Sequence, residues 1–255
     1  MAIIIANNSG EKYSKLARVV EEAESDLLNG RNDKGITTTL RGNKLKNLID
    51  RYCKKDGIIV DVGCGDCEIL LMIADNCSEA VGVIPTAAEY EFVSNLRKNS
   101  VIDLIQGSTT NIPLKNQSSD TVLCNGVLHG TGFTKHLFDQ SLKEFSRILR
   151  PNGHLVLGEF PNSDEFEGRN YGTSVILFFL HLISTYNFRK IKKELLAYVA
   201  GVFTKRHYIV NNTNGFFLKS EDVESRAKLF GFKLICCNAS LEKTKRFDYI
   251  FRKIK

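Results

Sequence analysis

Short apolar runs alternate with amphipathic stretches along most of this chain. The clearest run, Ile58–Val62, is β-branched and apolar apart from Asp61, which is typical of a strand buried on both faces of a parallel sheet. Strands that alternate with helices predict βαβ units and a parallel sheet. The predicted strands are Ile58–Val62, Ala80–Ile84, Val101–Ile105, Thr121–Cys124, His154–Leu157, Phe232–Cys237 and Phe247–Phe251. The predicted helices are Glu11–Leu28, Asn43–Cys53, Ala87–Lys98, His136–Leu149 and one that Ser220 caps and Gly231 ends.

The order of these elements predicts one open, mostly parallel α/β sheet with helices on both faces. Residues 1–56 are predicted as an N-terminal helical region and residues 57–160 as the core. Residues 161–219 are predicted as a helical cap insertion, because so long a connection inside a domain is usually functional. Residues 220–255 then supply a last helix and strands that complete the core.

Composition excludes several classes of protein. The chain has 255 residues, of which 43% are hydrophobic and 25% charged, so it can bury a substantial core. The formal charge of +6 comes largely from two basic runs, Arg189–Lys193 and Lys243–Lys255. We interpret these runs as solvated surface and do not expect nucleic acid as a partner.

The spacing of the cysteines and the lengths of the apolar runs indicate in which cellular compartment we expect the protein. The seven cysteines are not spaced as in a secreted disulfide framework. Met1–Ala6 lacks the basic start of a signal peptide, and the longest apolar run, Val175–Leu180, is too short to cross a bilayer. We therefore expect a cytoplasmic protein with free thiols and no membrane span.

A glycine-containing turn follows the first buried strand. It reads Asp-Val-Gly-Cys-Gly-Asp-Cys over Asp61–Cys67, and glycines let a backbone bend sharply and approach a ligand. A dinucleotide-binding loop would need a third glycine where Glu68 stands, and its carboxylate opposes a pyrophosphate. No P-loop lysine follows either. The loop therefore favours a ligand that presents cationic groups rather than phosphates, such as the amino-acid and sulfonium part of S-adenosylmethionine.

Five segments in order resemble the class I S-adenosylmethionine-dependent methyltransferases of the small-molecule type. They are Asp61–Cys67, Gly107–Leu114, Ser119–His129, Arg147–Leu157 and Leu218–Leu234. The resemblance implies a Rossmann-like core with strand order 3-2-1-4-5-7-6 and the seventh strand antiparallel. It also implies that the N-terminal region folds over the cofactor and that the insertion covers the acceptor.

The same resemblance implies which residues bind S-adenosylmethionine. Asp61 and the glycines would shape the site, Asp120 would lie beside the adenine, and Asn125 would lie near the methionine end. The cofactor-binding residues expected in this way are Tyr13, Asp61, Gly63, Cys64, Gly65, Ser108, Thr109, Asn125 and Gly126.

The sequence departs from the family pattern at three positions. Cys67 replaces the third glycine of the loop, and Ser108 replaces an acid expected beside the adenine. Ile84 stands where an acid should bind the ribose hydroxyls, and Glu89 comes one helical turn or more too late. Ribose hydroxyls left without a hydrogen-bond acceptor would weaken cofactor binding roughly tenfold to a hundredfold.

Two residues are candidates for the chemistry on the acceptor. His129 follows the fourth core strand and Glu159 ends the fifth, so both belong to the edge of the sheet that carries ligands in this class of fold. Either could deprotonate or orient an acceptor. We expect no metal site, because Cys64 and Cys67 lack the second pair that tetrahedral zinc requires.

The function that these residues predict is in-line methyl transfer from S-adenosylmethionine to a small apolar or aromatic acceptor. Three alternatives stay open at this stage. They are an enzyme of this fold that uses the bound cofactor without transferring methyl, a non-catalytic partner subunit with a degenerate site, and an RNA methyltransferase. The sequence does not identify the acceptor or the oligomeric state.

Overall fold

The computed structural model describes residues 3–6, 9–20, 25, 28, 36–129, 132–161, 208–211, 216–240 and 246–254. Their strands are β1 Ile3–Ala6, β2 Ile58–Val62, β3 Glu79–Ile84, β4 Ile102–Gln106, β5 Ser119–Asn125, β6 Leu149–Pro161, β7 Tyr208–Asn211, β8 Phe232–Ala239 and β9 Arg246–Lys253. Their α-helices are α1 Ser9–Ala17, α2 Ile36–Tyr52, α3 Glu68–Ala74, α4 Ala87–Leu96, α5 Lys135–Ile148 and α6 Ser220–Leu229.

Seven strands form one open sheet in the order β4-β3-β2-β5-β6-β9-β8. Numbered within the sheet, this is 3-2-1-4-5-7-6. The strands β4, β3, β2, β5 and β6 are parallel to their neighbours, and β9 runs antiparallel to both β6 and β8. The predicted fold class, strand order and antiparallel strand are therefore confirmed.

The core lies on both faces of this sheet, which explains why its central strands are almost entirely apolar. On one face α5 buries Phe138, Leu142, Phe145 and Ile148, which recur at helical spacing. The Thr134 side chain begins that helix by accepting a hydrogen bond from the Leu137 N–H. On the other face, α1 to α4 pack in a second apolar cluster. The two layers hold the carboxyl ends of the parallel strands at one common edge.

Local differences from the sequence prediction occur outside the central sheet. β1 and β7 form a parallel pair, although both lie in regions predicted as helical. α1 ends at Ala17, where the Val19 and Val20 N–H groups both donate to Leu16 O and close the last turn. Lys219, not Ser220, is the N-cap of α6, and its side chain makes no capping hydrogen bond.

The predicted cap falls largely outside the described residues, since residues 162–207 and 212–215 are not among them. Its predicted helix and covering role stay predictions. Among the residues that are described, no helix combines the length and apolarity needed to cross a membrane.

Candidate active site

The glycine turn lies where β2 meets the end of β3. Gly63 and Gly65 have φ angles of +81° and +58°, in the left-handed region that side chains disfavour. A Cβ atom on Gly63 would also lie 2.5 Å from Val127 Cγ2, and the Gly63 N–H donates to Val83 O at 2.9 Å. Both glycines are therefore required by the backbone path, as the sequence predicted.

Asp61 presents an unsatisfied carboxylate beneath this turn. The residue is 3% exposed, and its Oδ1 atom is enclosed without a hydrogen-bond partner in the described part of the chain. Burial raises the pKa of Asp61 to about 7. A buried acceptor left unpaired is costly, so it marks a position where a ligand with a positive charge or a donor group fits.

Two buried thiols complete the turn. Cys67 stands where the family has its third glycine and adopts φ +65°, so a small side chain occupies a backbone position that favours glycine. Its Sγ lies 3.0 Å from Cys64 Sγ, and Gly82 of β3 leaves the room for both. A hydrogen bond to Cys67 and burial hold the pKa of Cys64 well above its usual range, which disfavours thiolate chemistry.

Helix α1 belongs to the apolar layer on one face of the sheet. It packs against α4, and Tyr13 joins the apolar cluster that includes Tyr90 and Phe92. The charge of Lys12, the neighbour of Tyr13, helps to lower the pKa of His129 at the end of β5. Lys12 of α1 is therefore near enough to His129 for its charge to act there, and the covering role of this region stays a prediction.

The two candidate catalytic residues meet at Gly126, just beyond β5. A Cβ atom on Gly126 would lie 3.4 Å from Glu159 Oε2 and 4.0 Å from His129 Cε1. Glu159 has φ +53° at a bulge where the register between β6 and β9 shifts. Such strained conformations persist only where the surroundings enforce them, and they cluster at functional sites.

His129 is electrostatically unusual. Its Nδ1 atom is buried without a partner within the described ranges. Burial, followed by the charges of Arg246 and Lys12, lowers the pKa of His129 to about 3. The imidazole is therefore neutral at physiological pH, and it is a far weaker base than an exposed histidine. Glu159 faces a different environment, because its Oε2 atom lies 4.0 Å from the Arg246 guanidinium.

An aromatic cluster adjoins His129. The Phe160 ring meets the His129 ring edge-on with centroids 6.5 Å apart. Phe138 lies 5.6 Å from Phe160 and 6.0 Å from Phe216, and Phe133 lies 6.3 Å from Phe216. Phe133 and Phe216 are only partly buried, so this cluster offers an apolar surface beside the two candidate catalytic groups.

Asn125 is engaged by a residue that the sequence did not single out. Its Oδ1 atom accepts hydrogen bonds from Arg41 Nε at 2.9 Å and Arg41 Nη2 at 2.8 Å. Only the amide nitrogen of the Asn125 side chain is therefore left to contact a cofactor. Apolar periodicity could not detect Arg41, because a buried arginine in a helix looks like a surface residue in the sequence.

The predicted contact residues after β4 form a tight polar turn. Ser108 N and Asn111 O are 3.0 Å apart, and Asn111 N donates back to Ser108 O at 3.1 Å. The Thr109 hydroxyl accepts a hydrogen bond from Ser141 of α5 at 2.9 Å. This turn follows the strand beside β3, so Ser108 and Thr109 belong to the same edge as the glycine turn.

Asp120 was predicted beside the adenine, and that position is wrong. Asp120 lies at the amino end of β5, where Oδ2 accepts from Ile58 N at 3.0 Å and from Arg150 at 2.7 Å. Its Oδ1 atom pairs with Lys54. Asp120 is the second residue of β5, which begins at Ser119, so it lies at the edge opposite the glycine turn.

The sheet order, the glycine turn after the first core strand and the unpaired acid beneath it define a class I, Rossmann-like nucleoside-binding enzyme. Residues 60–157 match the family described as a methyltransferase domain. This segment of the chain is therefore a class I S-adenosylmethionine-dependent methyltransferase domain, and S-adenosylmethionine is its cofactor. Asp61 and the glycine turn fit that cofactor's cationic end. No cluster of metal-binding side chains occurs in the described ranges.

Known proteins resemble this chain in sequence or in fold. A ubiquinone/menaquinone biosynthesis C-methyltransferase of Campylobacter jejuni is 22% identical over 237 residues, which cover 88% of this chain and 89% of that protein. The PH0226 protein of Pyrococcus horikoshii has a TM-score of 0.62 at 16% identity and covers 94% of this chain and 98% of its own. The [4+2]-cyclase SpnF has a TM-score of 0.61 at 12% identity, with 99% and 98% covered.

Proposed function

We propose that this protein transfers the sulfonium methyl group of S-adenosylmethionine to a small apolar or aromatic acceptor bound beside Gly126. The observation that carries the proposal is the convergence of Glu159 Oε2 and the His129 ring on Gly126. This point lies at the carboxyl edge of the sheet that also carries the glycine turn, and the aromatic cluster adjoins it.

Asp61 and the glycine turn would hold the amino-acid end of the cofactor. The bound cofactor supplies an electrophilic methyl group on a positively charged sulfur. Asp61 Oδ1, which lacks a protein partner in the described part, would accept a hydrogen bond from the ammonium group of the methionine moiety. Gly63 and Gly65 let the backbone come close, because they carry no Cβ atom at positive φ.

Glu159 and His129 would have different roles at the acceptor. His129 has a pKa of about 3, so it stays neutral and is a poor proton acceptor at physiological pH. Its Nδ1 atom would instead accept a hydrogen bond that orients the acceptor. The proton lost from the acceptor's O–H, N–H or C–H group would pass to the Glu159 carboxylate. Much of the rate would come from holding the nucleophile in line with the methyl group.

The apolar or aromatic nature of the acceptor is supported by two features. Phe160 and the partly buried Phe133 and Phe216 provide a surface that attracts rings or aliphatic chains. The Campylobacter relative is named for carbon methylation in quinone biosynthesis, which favours an aromatic carbon acid among the acceptor chemistries considered. The cytoplasmic location stays a prediction from the sequence.

This function is tested first by measuring cofactor binding and then by measuring turnover. We expect calorimetry to show micromolar binding of S-adenosylmethionine and S-adenosylhomocysteine, and no heat at millimolar ligand would remove the cofactor site. Small aromatic substrates, including quinols and phenols, are then incubated with the protein and methyl-labelled cofactor. Label in an organic product supports the proposal, and Glu159→Gln should slow its formation about 10²- to 10⁴-fold.

Other outcomes of the same experiment identify the alternatives. A converted substrate with the cofactor unchanged would indicate a non-methylating reaction, the kind of activity for which the structurally similar SpnF is named. Label in RNA, with steeply salt-dependent RNA binding, would indicate an RNA methyltransferase. A bound cofactor without turnover until a second protein is added would indicate a partner subunit.

A further inference from the structure

We propose that Glu89, in the first turn of α4, accepts the hydrogen bonds of the cofactor's ribose hydroxyls. This inference rests on the proposed use of S-adenosylmethionine. A vicinal diol presents two donors side by side, and a carboxylate is the side chain with acceptors to match. Ile84, at the end of β3, offers no side-chain acceptor.

Glu89 follows the strand that lies beside the glycine turn. The turn begins beside β3, since the Gly63 N–H donates to Val83 O. β3 ends one residue later at Ile84, and α4 begins at Ala87 after the N-cap Thr86. Glu89 is thus in the helical turn that leads directly away from the edge where β2 and β3 end.

The burial of Glu89 is unusual for a helix N-terminus. The residue is 5% exposed, and α1 packs against α4, the helix that carries it. The described residues place no cation against it, and burial raises the pKa of Glu89 to about 7. Glutamates are rarely so deeply buried without a cationic partner.

Helix capping does not account for the hydrogen bonding of the Glu89 carboxylate. In a capping box the glutamate would accept a hydrogen bond from the backbone N–H of the N-cap residue. Here Glu89 Oε2 instead accepts from the Thr86 hydroxyl at 2.6 Å, while that hydroxyl oxygen accepts from the Glu89 N–H at 3.3 Å. Oε1 receives no hydrogen bond from the described part of the chain, so one oxygen is held and the other is available.

Asp61 provides an independent observation at the same edge. It is a second acid, 3% exposed, with an oxygen that has no partner in the described ranges. The two acids stand on neighbouring βα units, one beneath the glycine turn and one beyond the next strand. This arrangement fits a ligand with a cationic end at Asp61 and hydroxyl groups at Glu89.

The test compares binding of two ligands by calorimetry, so it does not depend on turnover. The ligands are S-adenosylhomocysteine and its 2′-deoxy analogue. Wild-type protein should bind S-adenosylhomocysteine about tenfold to a hundredfold more tightly than the analogue. Glu89→Met should weaken binding of S-adenosylhomocysteine by about the same factor and should abolish the preference between the two ligands.

Two further variants make the result specific. Glu91→Gln alters an exposed acid on the same helix and should leave both affinities unchanged. Thr86→Val removes the hydroxyl that holds Oε2 but keeps the carboxylate, so it should retain the ligand preference. Thermal melting confirms that each variant is folded.

The outcomes separate this inference from the proposed function. If wild-type protein binds S-adenosylhomocysteine and Glu89→Met binds both ligands just as the wild type does, the role of Glu89 is wrong and the cofactor site stands. If folded wild-type protein binds neither ligand, both the inference and the proposed function are overturned.

Discussion

Arg41 and Asp248 form a bidentate ion pair, and neither side chain is exposed to solvent. Arg41 Nη1 lies 2.6 Å from Asp248 Oδ2, and Arg41 Nη2 lies 2.7 Å from Asp248 Oδ1. The pair joins α2 to β9 beneath the candidate active site. Asp248 Oδ1 also accepts from the Glu159 N–H at 3.0 Å and from the Ser240 hydroxyl at 2.6 Å.

This pair holds both strand ends on which the proposed chemistry depends. Arg41 binds Asn125 at the end of β5, while Asp248 binds the backbone of Glu159 at the bulge in β6. Gly158 leaves the space for this arrangement, because a Cβ atom there would collide with Arg41 Nη2 and Asn125 Oδ1. The hydrogen bond from the Glu159 N–H to Asp248 therefore helps to hold Glu159 at its positive φ.

Arg41→Met should destabilise the protein strongly, because it leaves the Asp248 carboxylate buried without its cation. We expect a loss of about 3–5 kcal/mol, or a fall in Tm of roughly 6–20 °C for a domain of this size. Lys15→Met is the control, because the Lys15–Glu11 pair is exposed and should contribute less than about 1 kcal/mol. Thermal melting at neutral pH measures both.

The double variant Arg41→Met/Asp248→Asn shows whether the orphaned charge causes the loss. Asparagine removes the charge but keeps an oxygen that can accept from Glu159 and Ser240. We therefore expect the double variant to melt at a higher temperature than Arg41→Met alone. A double variant no more stable than the single one would mean that lost packing, rather than charge, dominates.

Asp61→Asn should stabilise the ligand-free protein while weakening ligand binding. The folded protein keeps the Asp61 proton up to a pKa of about 7, well above the ordinary value of 3.8. Its stability therefore falls as pH rises from about 4 to about 7 and stays reduced above that. Removing the charge should recover about 1–3 kcal/mol at pH 8, a rise in Tm of roughly 2–12 °C.

The same substitution should have the opposite effect on ligand binding. S-adenosylhomocysteine should raise the Tm of the wild type more at pH 8 than at pH 6, since only the ionised Asp61 attracts its ammonium group. Asp61→Asn should show a smaller shift with less dependence on pH. Asp103→Asn, on the exposed side of β4, is the control and should behave as the wild type. A full, pH-dependent shift in Asp61→Asn would contradict the proposed contact.

Apolar patterning predicted the sheet because its strands are buried on both faces and have few competing interpretations. β2 spans Ile58–Val62, as predicted, β3 begins one residue earlier than predicted, and β4 is shifted by one residue at both ends. The elements that were missed are polar or short. α2 begins seven residues earlier than predicted, because its first turns bury Thr38 and Arg41 rather than apolar residues.

The site was predicted less completely for a similar reason. Glycines at positive φ and residues at strand ends leave a signal in the sequence, so the positions of Gly63, His129 and Glu159 in the fold could be predicted from it. The partner of a buried polar group leaves none, because tertiary contacts such as Arg41–Asp248 join positions far apart in the chain. Asp120 was misplaced by the family resemblance, because a residue at the start of β5 lies at the edge of the sheet opposite the glycine turn.

Gly82→Ala should disturb the cofactor turn through a neighbouring strand. The added Cβ atom would lie 2.8 Å from Cys64 Sγ and 2.9 Å from Leu104 Cδ2 in an enclosed space. We expect a cost of about 1–3 kcal/mol, together with weaker binding of S-adenosylhomocysteine. Adding Cys67→Gly removes a third crowded atom, so Gly82→Ala should cost less in that background.

Gly42→Ala is the matched control for this substitution. The three atoms nearest to its added Cβ atom all belong to the flexible side chain of Met72, which is partly exposed and can move. Because Gly42 lies inside α2, alanine should gain up to about 1 kcal/mol of helix propensity. Melting curves should therefore move in opposite directions for the two variants. Equal losses would show that crowding at Cys64 is not the cause.

His129→Gln should make the protein less sensitive to acid. The pKa of His129 is about 3 in the folded protein and near 6.5 when it is unfolded, so the unfolded chain binds a proton that the folded one excludes. Stability contributed by the neutral imidazole is complete above about pH 6.5 and is lost as pH falls below it. At pH 5 this loss amounts to about 2 kcal/mol, or roughly 4–8 °C in Tm.

Melting at pH 7.5 and pH 5 measures this difference. The wild type should lose more stability between the two pH values than His129→Gln, and His136→Asn, which alters an exposed histidine on α5, should follow the wild type. Activity gives a second readout. Because His129 stays neutral, the variant should raise KM for the acceptor more than it lowers kcat, whereas Glu159→Gln should chiefly lower kcat. If kcat of the wild type fell with an apparent pKa near 6.5 and His129→Gln abolished that step, His129 would be the base and the assignment of proton transfer to Glu159 would be wrong.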